Sequence, residues 1–388
     1  MIVRQFLQWH RTAPAGVRAD ATSALARAYL YSDLSPDDRA AAEGAMLMLL
    51  DDPSPLVRRA MAEAFASSDK APPAVVHSLA ADQPEVAAAV LQRSPLFVDA
   101  DLVDTVATAP SEVQSAIASR HALPRSVAAA VAEVGSAEAC LVLIENKKAD
   151  IAPFSLDRIV ARFGHLGAIR EILLARDDLP APTRQALVAK LSTTLAGFVA
   201  AKDWLAEDRA YRVAKEACEK ATVALAADSS AGEVRPLIRH LRESGQLTAG
   251  LVLRALLSGN LTLFEQALAE LSGLPLSRVA GIVHDKRGGG FRALYDKAGL
   301  PASTYPAFRA AIEAMREDGF QGQPGGASRL KRRMIERALT GCAKDALGDV
   351  EPLLTLLRRF AAEAAREEAR LFCEELVAQA EDSDRAAA

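Results

Sequence analysis

Residues 51–60 read DDPSPLVRRA, and this stretch decides the fold. Its two prolines stand just before an apolar triplet, Val57, Ala60 and Met61, whose i, i+3, i+4 spacing places all three residues on one face of a helix. Proline is tolerated in the first turn of a helix, because its missing N–H would have no partner there in any case. We therefore predict a turn set by the prolines and capped by Asp52, followed by a helix that packs through Val57.

The same triplet returns four more times in the first half of the chain, at steps of 29, 27, 26 and 30 residues. The five copies are Val57/Ala60/Met61, Val86/Ala89/Val90, Val113/Ala116/Ile117, Ala139/Val142/Leu143 and Ile169/Ile172/Leu173. Each later copy follows, after a gap of 7 to 9 residues, an apolar i, i+4 pair: Val75/Leu79, Leu102/Val106, Val127/Val131 and Leu156/Val160. A gap this short allows only a tight turn, which predicts two antiparallel helices in each repeat.

Neither helix of such a pair can bury its apolar face alone, so neighbouring repeats must stack on one another. Five copies in register favour an all-α solenoid of short helix pairs over an ordinary helical bundle with coincidental spacing. Alanine at the middle position of the triplet, as at Ala60, Ala89 and Ala116, predicts a close approach of neighbouring helices at those positions.

The repeat fades beyond Leu191, and the remainder of the chain divides by composition. Residues 193–227 read as one long amphipathic stretch that a single helix would accommodate. We expect a HEAT-like repeat region over 1–192, a second all-helical region over 193–320, a Gly- and Pro-rich linker over 321–328, and a basic helix followed by a long C-terminal helix over 329–388.

Two features of the last region leave alternatives open. The basic segment 329–337 fits a solvated helix face, an intramolecular partner for the acidic C-terminal helix, or a docking site for nucleic acid or anionic lipid. The C-terminal helix carries an apolar stripe, which fits either a cover for the end of the solenoid or a homodimer interface.

Composition excludes several classes of protein. The 388 residues carry 46 Lys and Arg against 50 Asp and Glu, a net charge of -4, and 5% of them are aromatic. A general nucleic-acid binder shows a large basic excess, so nucleic acid is a disfavoured partner. No apolar run reaches the length of a membrane span, and the N-terminus lacks the apolar core of a secretory signal, so we expect a cytoplasmic protein.

Patterns that carry chemistry are equally sparse. The four cysteines form no Cys-x-x-Cys pair, and no two of the six histidines stand in an i, i+4 pair. Neither Gly-x-Ser-x-Gly nor His-Glu-x-x-His occurs in the sequence. We therefore expect no metal, no cofactor and no enzymatic activity.

The repeat register indicates one candidate interaction surface. Seven residues after the first member of each triplet stand Ala64, Arg93, Arg120, Asn146 and Arg176. Because the second helices of a solenoid commonly line its concave surface, the last four side chains can form a ladder for an acidic protein or peptide partner. The alternative is that each basic residue binds the last carbonyls of its own helix and complements the helix dipole.

A second candidate, an anion-binding site, lies in a glycine-rich turn. The turn and the start of the following helix supply Lys286, Arg287, Gly288, Gly289, Gly290 and Arg292. Backbone N–H groups that precede a helix can hold an anion. No strand precedes this turn, and it matches neither the Walker nor the Rossmann pattern, so a flexible turn with solvated basic residues is the competing interpretation.

The stretch 51–60 also resembles an uncharacterised bacterial family, domain of unknown function 2336, and the resemblance runs from about Phe6 to about Met315. Further motifs that carry it are Ser94-Pro95 after Val90-Leu91, residues 164–180, and Leu253-Arg254-Ala255-Leu256 followed by Phe264-Glu265-x-Ala267-Leu268. The resemblance implies HEAT-like helical repeats, and it implies no activity and no site residues. The Asp-Pro-x-Pro-x-Val-Arg run is independently typical of the second helix of a HEAT repeat.

These patterns favour a non-enzymatic scaffold or adaptor for a protein or peptide partner, acting in bacterial regulation or signalling. A helical-repeat module that binds an anion, a nucleotide or a nucleic acid is the alternative. The distribution of charge separates the two hypotheses, because nucleic-acid binding needs a continuous basic stripe that the repeats do not obviously provide.

Overall fold

The computed structural model describes residues 9–10, 12–285, 289–318, 326–344 and 351–387. Within these residues every regular element is a helix, which confirms the predicted all-α class. Contacts divide the chain into two compact units, unit 1 (Met1–Leu179) and unit 2 (Pro180–Ala388).

Unit 1 contains eleven helices in its described part, which we number in chain order. They are α1 (Ala15–Tyr31), α2 (Pro36–Leu49), α3 (Pro55–Phe65), α4 (Pro73–Ala80), α5 (Pro84–Arg93), α6 (Asp99–Thr108), α7 (Ser111–Ala118), α8 (Arg125–Val134), α9 (Ala137–Glu145), α10 (Pro153–Phe163) and α11 (Gly167–Leu174). The five predicted triplets lie on the odd-numbered helices from α3 to α11, and the four apolar pairs lie on the even-numbered helices from α4 to α10.

Helices of unit 1 pack mainly on the helix two positions away along the chain. The odd-numbered helices, from α1 to α11, form one layer in this way, and α6, α8 and α10 form a second. Alternate stacking of this kind is the arrangement that a solenoid of helix pairs requires. The predicted HEAT-like α-solenoid is confirmed.

On the odd-numbered helices, the buried face is rotated slightly from the face that the triplets define. The first and last members are buried in all five repeats, but the middle member is only half-buried. In the three central repeats the residue after the first member is buried as well: Ala87, Gln114 and Cys140. Ala60, Ala89 and Ala116 therefore lie at the edge of the buried stripe.

The stretch 51–60 forms the predicted turn and the start of α3, with Pro55 at the first helical position and Val57 fully buried. Asp52, however, does not cap α3. Its carboxylate accepts the Ser54 N–H at 2.8 Å and two hydrogen bonds from Arg18 of α1, at 3.0 and 2.9 Å. The buried carboxylate therefore joins α1 to the turn before α3, because a guanidinium satisfies both of its oxygens at once.

Unit 2 contains ten α-helices and one 3-10 helix in its described part. They are α12 (Ala181–Ala201), α13 (Glu207–Asp228), α14 (Ala231–Glu243), α15 (Ala249–Leu257), α16 (Leu261–Ser272), α17 (Leu276–His284), α18 (Phe291–Lys297), the 3-10 helix (Ala302–Thr304), α19 (Tyr305–Asp318), α20 (Gly326–Lys344) and α21 (Glu351–Ala387). Aromatic rings lie at the centre of its core. The ring centroid of Phe308 is 5.3 Å from that of Tyr295 and 6.2 Å from that of Phe264.

Residues 193–227 do not form a single helix. α12 ends at Ala201 and α13 begins at Glu207, because Asp203 takes a left-handed backbone conformation with a φ of 55°. Asp and Asn adopt this conformation more readily than other residues with a side chain. α12 also runs through residue 192, at which the predicted repeat region ends. Of the predicted linker, 326–328 form the first turn of α20 and 321–325 lie outside the described residues.

The basic segment 329–337 lies on α20, which packs against α21 inside unit 2. Leu357 and Phe360 of α21 are buried in the core of this unit. Arg332 pairs with Glu336 on its own helix at 2.9 Å and lies 3.7 Å from Glu368 of α21. These contacts favour the intramolecular interpretation of the basic segment.

Candidate functional site

The predicted partner-binding ladder coincides with the joints between repeats. Arg120, which follows α7, donates from its guanidinium to the carbonyl of Leu91 at 2.5 Å and to that of Ser94 at 2.8 Å. Both carbonyls lie at the C-terminal end of α5, one repeat earlier, where helical carbonyls have no partner within their own helix. Burial lowers the pKa of Arg120, but an arginine remains charged in a protein.

The next two ladder residues make the same kind of connection. Asn146 donates from its amide to the carbonyls of Ala118 and Arg120, at 2.9 and 2.7 Å. Arg176 donates to the carbonyl of Ile144 at 3.0 Å. Across the three side chains the acceptor stands 26 to 32 residues earlier in the sequence, at the end of the second helix of the preceding repeat.

A parallel connection joins the first helices of two repeats. Arg162, in the last turn of α10, donates to the carbonyls of Ala132 and Gly135 at the end of α8, at 2.8 and 2.7 Å. Sequence reasoning missed Arg162 because it lies outside the triplet register. Its one available signal was its place in the last turn of a helix. We call four residues the C-terminal staples: Arg120, Asn146, Arg162 and Arg176.

The C-terminal staples change the interpretation of the ladder. We expected each side chain to bind either a partner or the carbonyls of its own helix, whereas Arg120, Asn146 and Arg176 bind the helix of the preceding repeat. Arg93 differs, because it is exposed at the end of α5 and has no hydrogen bond or ion pair among the described residues. Partner binding by the four residues stays a prediction, and two of the five N–H donors of Arg120 and both amide donors of Asn146 are already occupied.

The glycine-rich turn is described only from Gly289 onward. Three of the predicted anion-binding residues lie outside the described residues: Lys286, Arg287 and Gly288. Gly289 and Gly290 form the turn before α18. Arg292 pairs with Asp296 at 2.9 Å, and its guanidinium lies 4.3 Å from the centre of the Tyr305 ring. The guanidinium therefore has partners inside unit 2, and the anion site stays a prediction.

An open groove between two repeats of unit 1 has the features of a binding surface. α4 and α6 barely touch, whereas α6, α8 and α10 pack side by side. The space at the step between α4 and α6 has a volume of about 510 Å³. We call it the acidic groove, and the residues that set its chemistry are His77, Asp82, Phe97, Asp101, Asp104 and Thr105.

No lysine or arginine lines the acidic groove among the described residues. Asp82, in the turn after α4, binds Arg58 of α3 through both oxygens, at 2.5 and 3.0 Å. Burial by itself would raise the pKa of Asp82, but hydrogen bonds from Arg58 and from the Gln83 N–H hold that pKa below its ordinary value. Asp82 is therefore ionised at neutral pH and fixed in place.

The other two carboxylates of the groove lie on α6. Asp101 accepts the Val98 N–H at 3.3 Å, at the N-terminal end of the helix. Asp104, three residues later, is exposed, and its carboxylate has no hydrogen bond or ion pair in the described part of the chain. Phe97 and His77 meet edge to face, with ring centroids 5.1 Å apart. The groove thus combines negative charge with an aromatic pair.

The unit that contains the acidic groove is also acidic as a whole, and the other unit is not. Residues 1–179 carry 17 Lys and Arg against 23 Asp and Glu, whereas residues 180–388 carry 29 against 27. Most of this acidity lies in the repeats, since residues 51–150 hold 14 acidic and 8 basic side chains. This local excess is the one signal by which the sequence could have indicated the acidic groove.

Unit 2 contains a cavity of about 360 Å³ that is lined by residues of α12, α13, α14 and α15. Glu219 of α13 accepts a hydrogen bond from the Thr248 hydroxyl at 3.2 Å, and burial raises the pKa of this carboxyl. Burial also raises the pKa of the neighbouring Cys218 thiol. A protonated thiol is a poor nucleophile, so Cys218 is not an activated nucleophile at neutral pH.

The other buried cysteine of the described residues is in a similar environment. Burial raises the pKa of the Cys140 thiol to about 11. In the same part of the chain, no group of three or more His, Cys, Asp and Glu side chains is placed to hold a metal ion. Nor does any helix described there combine the length and the hydropathy needed to cross a membrane.

Comparison with known proteins assigns the chain to a family. The family described as "Uncharacterised protein conserved in bacteria (DUF2336)" matches residues 86–348, from the first turn of α5 to beyond the end of α20. No curated protein and no solved structure matches the chain. The matched segment is well over half of the sequence. It contains every motif quoted above for the resemblance except the stretch 51–60, which precedes it. The chain therefore belongs to this uncharacterised bacterial family.

Proposed function

We propose that the chain is a non-enzymatic adaptor of the bacterial cytoplasm that binds a basic segment of a partner protein in the acidic groove. The observation that carries the proposal is the composition of the groove. Asp82, Asp101 and Asp104 line it, and no described lysine or arginine does. Such an adaptor would act in regulation or signalling.

The shape of the groove supports a peptide segment as the occupant. The groove lies between α4 and α6, helices of 8 and 10 residues, and its volume of about 510 Å³ falls in the range of specific binding sites. Helical solenoids commonly use extended surfaces of this kind for binding.

Each side chain of the groove supplies a different interaction. Asp82 is held by Arg58, so its charge is already balanced. Asp104 offers an exposed carboxylate to a lysine or arginine of the segment, and Asp101 adds negative charge one helical turn away. The exposed ring of His77, which packs against the buried ring of Phe97, offers contact area to a neighbouring apolar side chain. A basic residue next to an apolar residue therefore matches the groove.

The absence of catalysis is part of the same proposal. Burial keeps the thiols of Cys140 and Cys218 protonated at neutral pH. Asp82, with a pKa below its ordinary value, is a poor general acid or base near pH 7. A binding role requires none of these activities, so the groups present are sufficient for it.

Selection of peptides from a random displayed library on the full-length protein tests the proposal. We expect the enriched sequences to carry lysine or arginine beside an apolar residue. These peptides should bind an Asp104→Lys variant about tenfold more weakly, because the substitution replaces attraction by repulsion. The matched control is Asp20→Lys, which reverses an equally exposed aspartate on α1 outside the groove and should leave the affinity unchanged.

Two outcomes would contradict the proposal. One is enrichment of acidic or uncharged sequences. The other is equal affinity of the selected basic peptides for the unmodified protein and for the Asp104→Lys variant.

A further inference from the structure

The cavity of about 360 Å³ in unit 2 has one cation and one anion among the described residues of its wall, Lys215 and Glu219. Both belong to α13 and stand four residues apart, so they lie on neighbouring turns of the same helix face. Residues of opposite charge at this spacing commonly pair on a helix surface. Lys215 and Glu219 nevertheless form no ion pair in the described part of the chain.

The carboxylate of Glu219 is only partly satisfied. Its Oε1 accepts a hydrogen bond from the Thr248 hydroxyl at 3.2 Å. Its Oε2 accepts no hydrogen bond from the described residues, and this atom is not sealed from solvent. Burial raises the pKa of the carboxyl although the charge of Lys215 acts in the opposite direction, so the surroundings compensate an ionised Glu219 incompletely. A cationic group placed at Oε2 would complete that compensation.

The other charged groups near Glu219 already have partners. Arg254 of α15 donates to Glu363 at 2.7 Å, and Glu216 of α13 accepts from Arg359. Lys215, in contrast, is exposed and makes no hydrogen bond or ion pair in the part of the chain that the structure describes. Its ammonium group is therefore open to an anionic group of a ligand.

The rest of the wall offers apolar surface that a ligand can reach. Tyr211 stands one helical turn before Lys215 on the same face of α13 and is 43% exposed. Ala189 of α12 and Ala214 of α13 are half-buried and line the same space. The volume lies in the range of sites that bind small molecules. The cavity therefore combines a cation, an anion and an apolar wall.

We propose that this cavity binds a free α-amino acid with an apolar side chain. The ammonium group of the ligand donates to Oε2 of Glu219, and its carboxylate accepts from the ammonium group of Lys215. Its side chain packs against the ring of Tyr211. A zwitterion is selected because a ligand with a single charge leaves either Lys215 or Glu219 without a partner.

This site is independent of the acidic groove. The cavity belongs to unit 2 and takes a small zwitterion, whereas the groove belongs to unit 1 and takes a basic segment of a protein. Failure of one proposal therefore leaves the other standing.

Calorimetric titration of the full-length protein tests the amino-acid site. The titrants are L-leucine, L-methionine and L-phenylalanine, and we expect at least one of them to bind saturably with a Kd below about 1 mM. Two analogues of the tightest ligand should each bind at least about tenfold more weakly: the amine that lacks its carboxylate and the carboxylic acid that lacks its amino group.

Two variants of the cavity assign the two charges. Glu219→Gln can still accept the Thr248 hydrogen bond, so its urea unfolding curve should show no loss of stability, but its affinity for the amino acid should fall at least about tenfold. Lys215→Met should bind the amino acid and its amine analogue with equal affinity, because the ligand carboxylate has lost its partner.

The matched controls reverse neither result. Glu207→Gln and Lys190→Met remove the same charges from exposed positions on α13 and α12 outside the cavity, and both should bind the amino acid as the unmodified protein does.

The proposal is overturned if none of the three amino acids binds saturably up to about 10 mM. It is equally overturned if the Glu219→Gln variant binds the amino acid as tightly as the unmodified protein. Binding of the amine analogue to the unmodified protein as tightly as the amino acid would overturn the assignment to a zwitterion.

Discussion

Asp52 holds α1 against the turn that precedes α3 through both of its carboxylate oxygens. Its side chain is 1% exposed, and its partner Arg18 stands 34 residues earlier in the sequence. The turn itself was predictable, because the prolines and Val57 are local signals. The ion pair was not predictable, because Arg18 lies on a helix outside the repeat register, and only the packing of α1 on α3 brings it within reach.

Replacement of Asp52 by asparagine should destabilise unit 1. The substitution leaves the Arg18 guanidinium without its counterion and removes charge-assisted hydrogen bonds, at a cost of about 2 kcal/mol in the free energy of unfolding. Urea denaturation followed by circular dichroism measures this cost. Asp51→Asn is the control, because Asp51 is exposed beside it, and equal destabilisation by the two substitutions would contradict the role given to Asp52.

The contribution of Asp52 should also depend on pH. Burial would raise the pKa of Asp52, but hydrogen bonds from Arg18 and from the Ser54 N–H hold it below the ordinary value of 3.8. An acid with a lowered pKa stabilises the fold above its unfolded pKa and loses that contribution as the pH falls through its folded pKa. The difference in unfolding free energy between the unmodified protein and Asp52→Asn should therefore shrink below about pH 4, and it should also change as His10, whose Nε2 lies 3.0 Å from Oδ2 of Asp52, gains a proton. A difference that persists undiminished in acid would contradict this assignment.

At the scale of elements, the C-terminal staples connect the ends of α5, α7, α8 and α9 to the following repeat. Replacement of Arg120 by alanine removes two hydrogen bonds and leaves the carbonyls of Leu91 and Ser94 unsatisfied. We expect a loss of about 2 kcal/mol in unfolding free energy, measured by urea denaturation. Arg93→Ala is the matched control, because Arg93 holds the same register position one repeat earlier and is exposed. A loss of similar size in both variants would contradict the staple.

The elements show which parts of the fold are visible in the sequence. Triplets and pairs predicted the helices from α3 to α11, because a helix buries residues three and four apart and Pro marks many of the starts. The acceptors of the staples were not visible, since Arg120 and Asn146 bind backbone carbonyls, which carry no sequence signal. The break at Asp203 was missed for a similar reason, because one left-handed residue interrupts a stretch of uniform helix formers.

For the whole molecule, the uneven charge predicts a salt dependence of binding. Basic peptides selected on the acidic groove should bind more weakly as NaCl rises from about 0.05 to about 0.5 M, because the Debye length shortens from above 10 Å to below 8 Å. Titration at several salt concentrations measures the slope. The slope should be smaller for the Asp104→Lys variant, and a salt-independent affinity of the unmodified protein would contradict an electrostatic groove.

Local sequence patterns predict the candidate site less well than they predict the fold, because the site forms only when distant helices pack. The acidic excess of residues 51–150 could be counted in advance, but the groove exists because α4 stands apart from α6, and no local pattern encodes that separation. The ion pair between Arg254 and Glu363 is similar. Arg254 belongs to one of the family motifs, but Glu363 lies 109 residues later on α21 and meets it only in the folded unit.

The direction of the staples has a consequence for synthesis on the ribosome. The carbonyls at the end of α5 have no side-chain partner until Arg120 has been synthesised, 26 to 29 residues after them. At about 5–20 residues per second, this delay is roughly 1 to 6 s. Until Arg120 is in place, the last carbonyls of α5 are bound to water, and that unfinished end of the nascent chain is where a chaperone would find it.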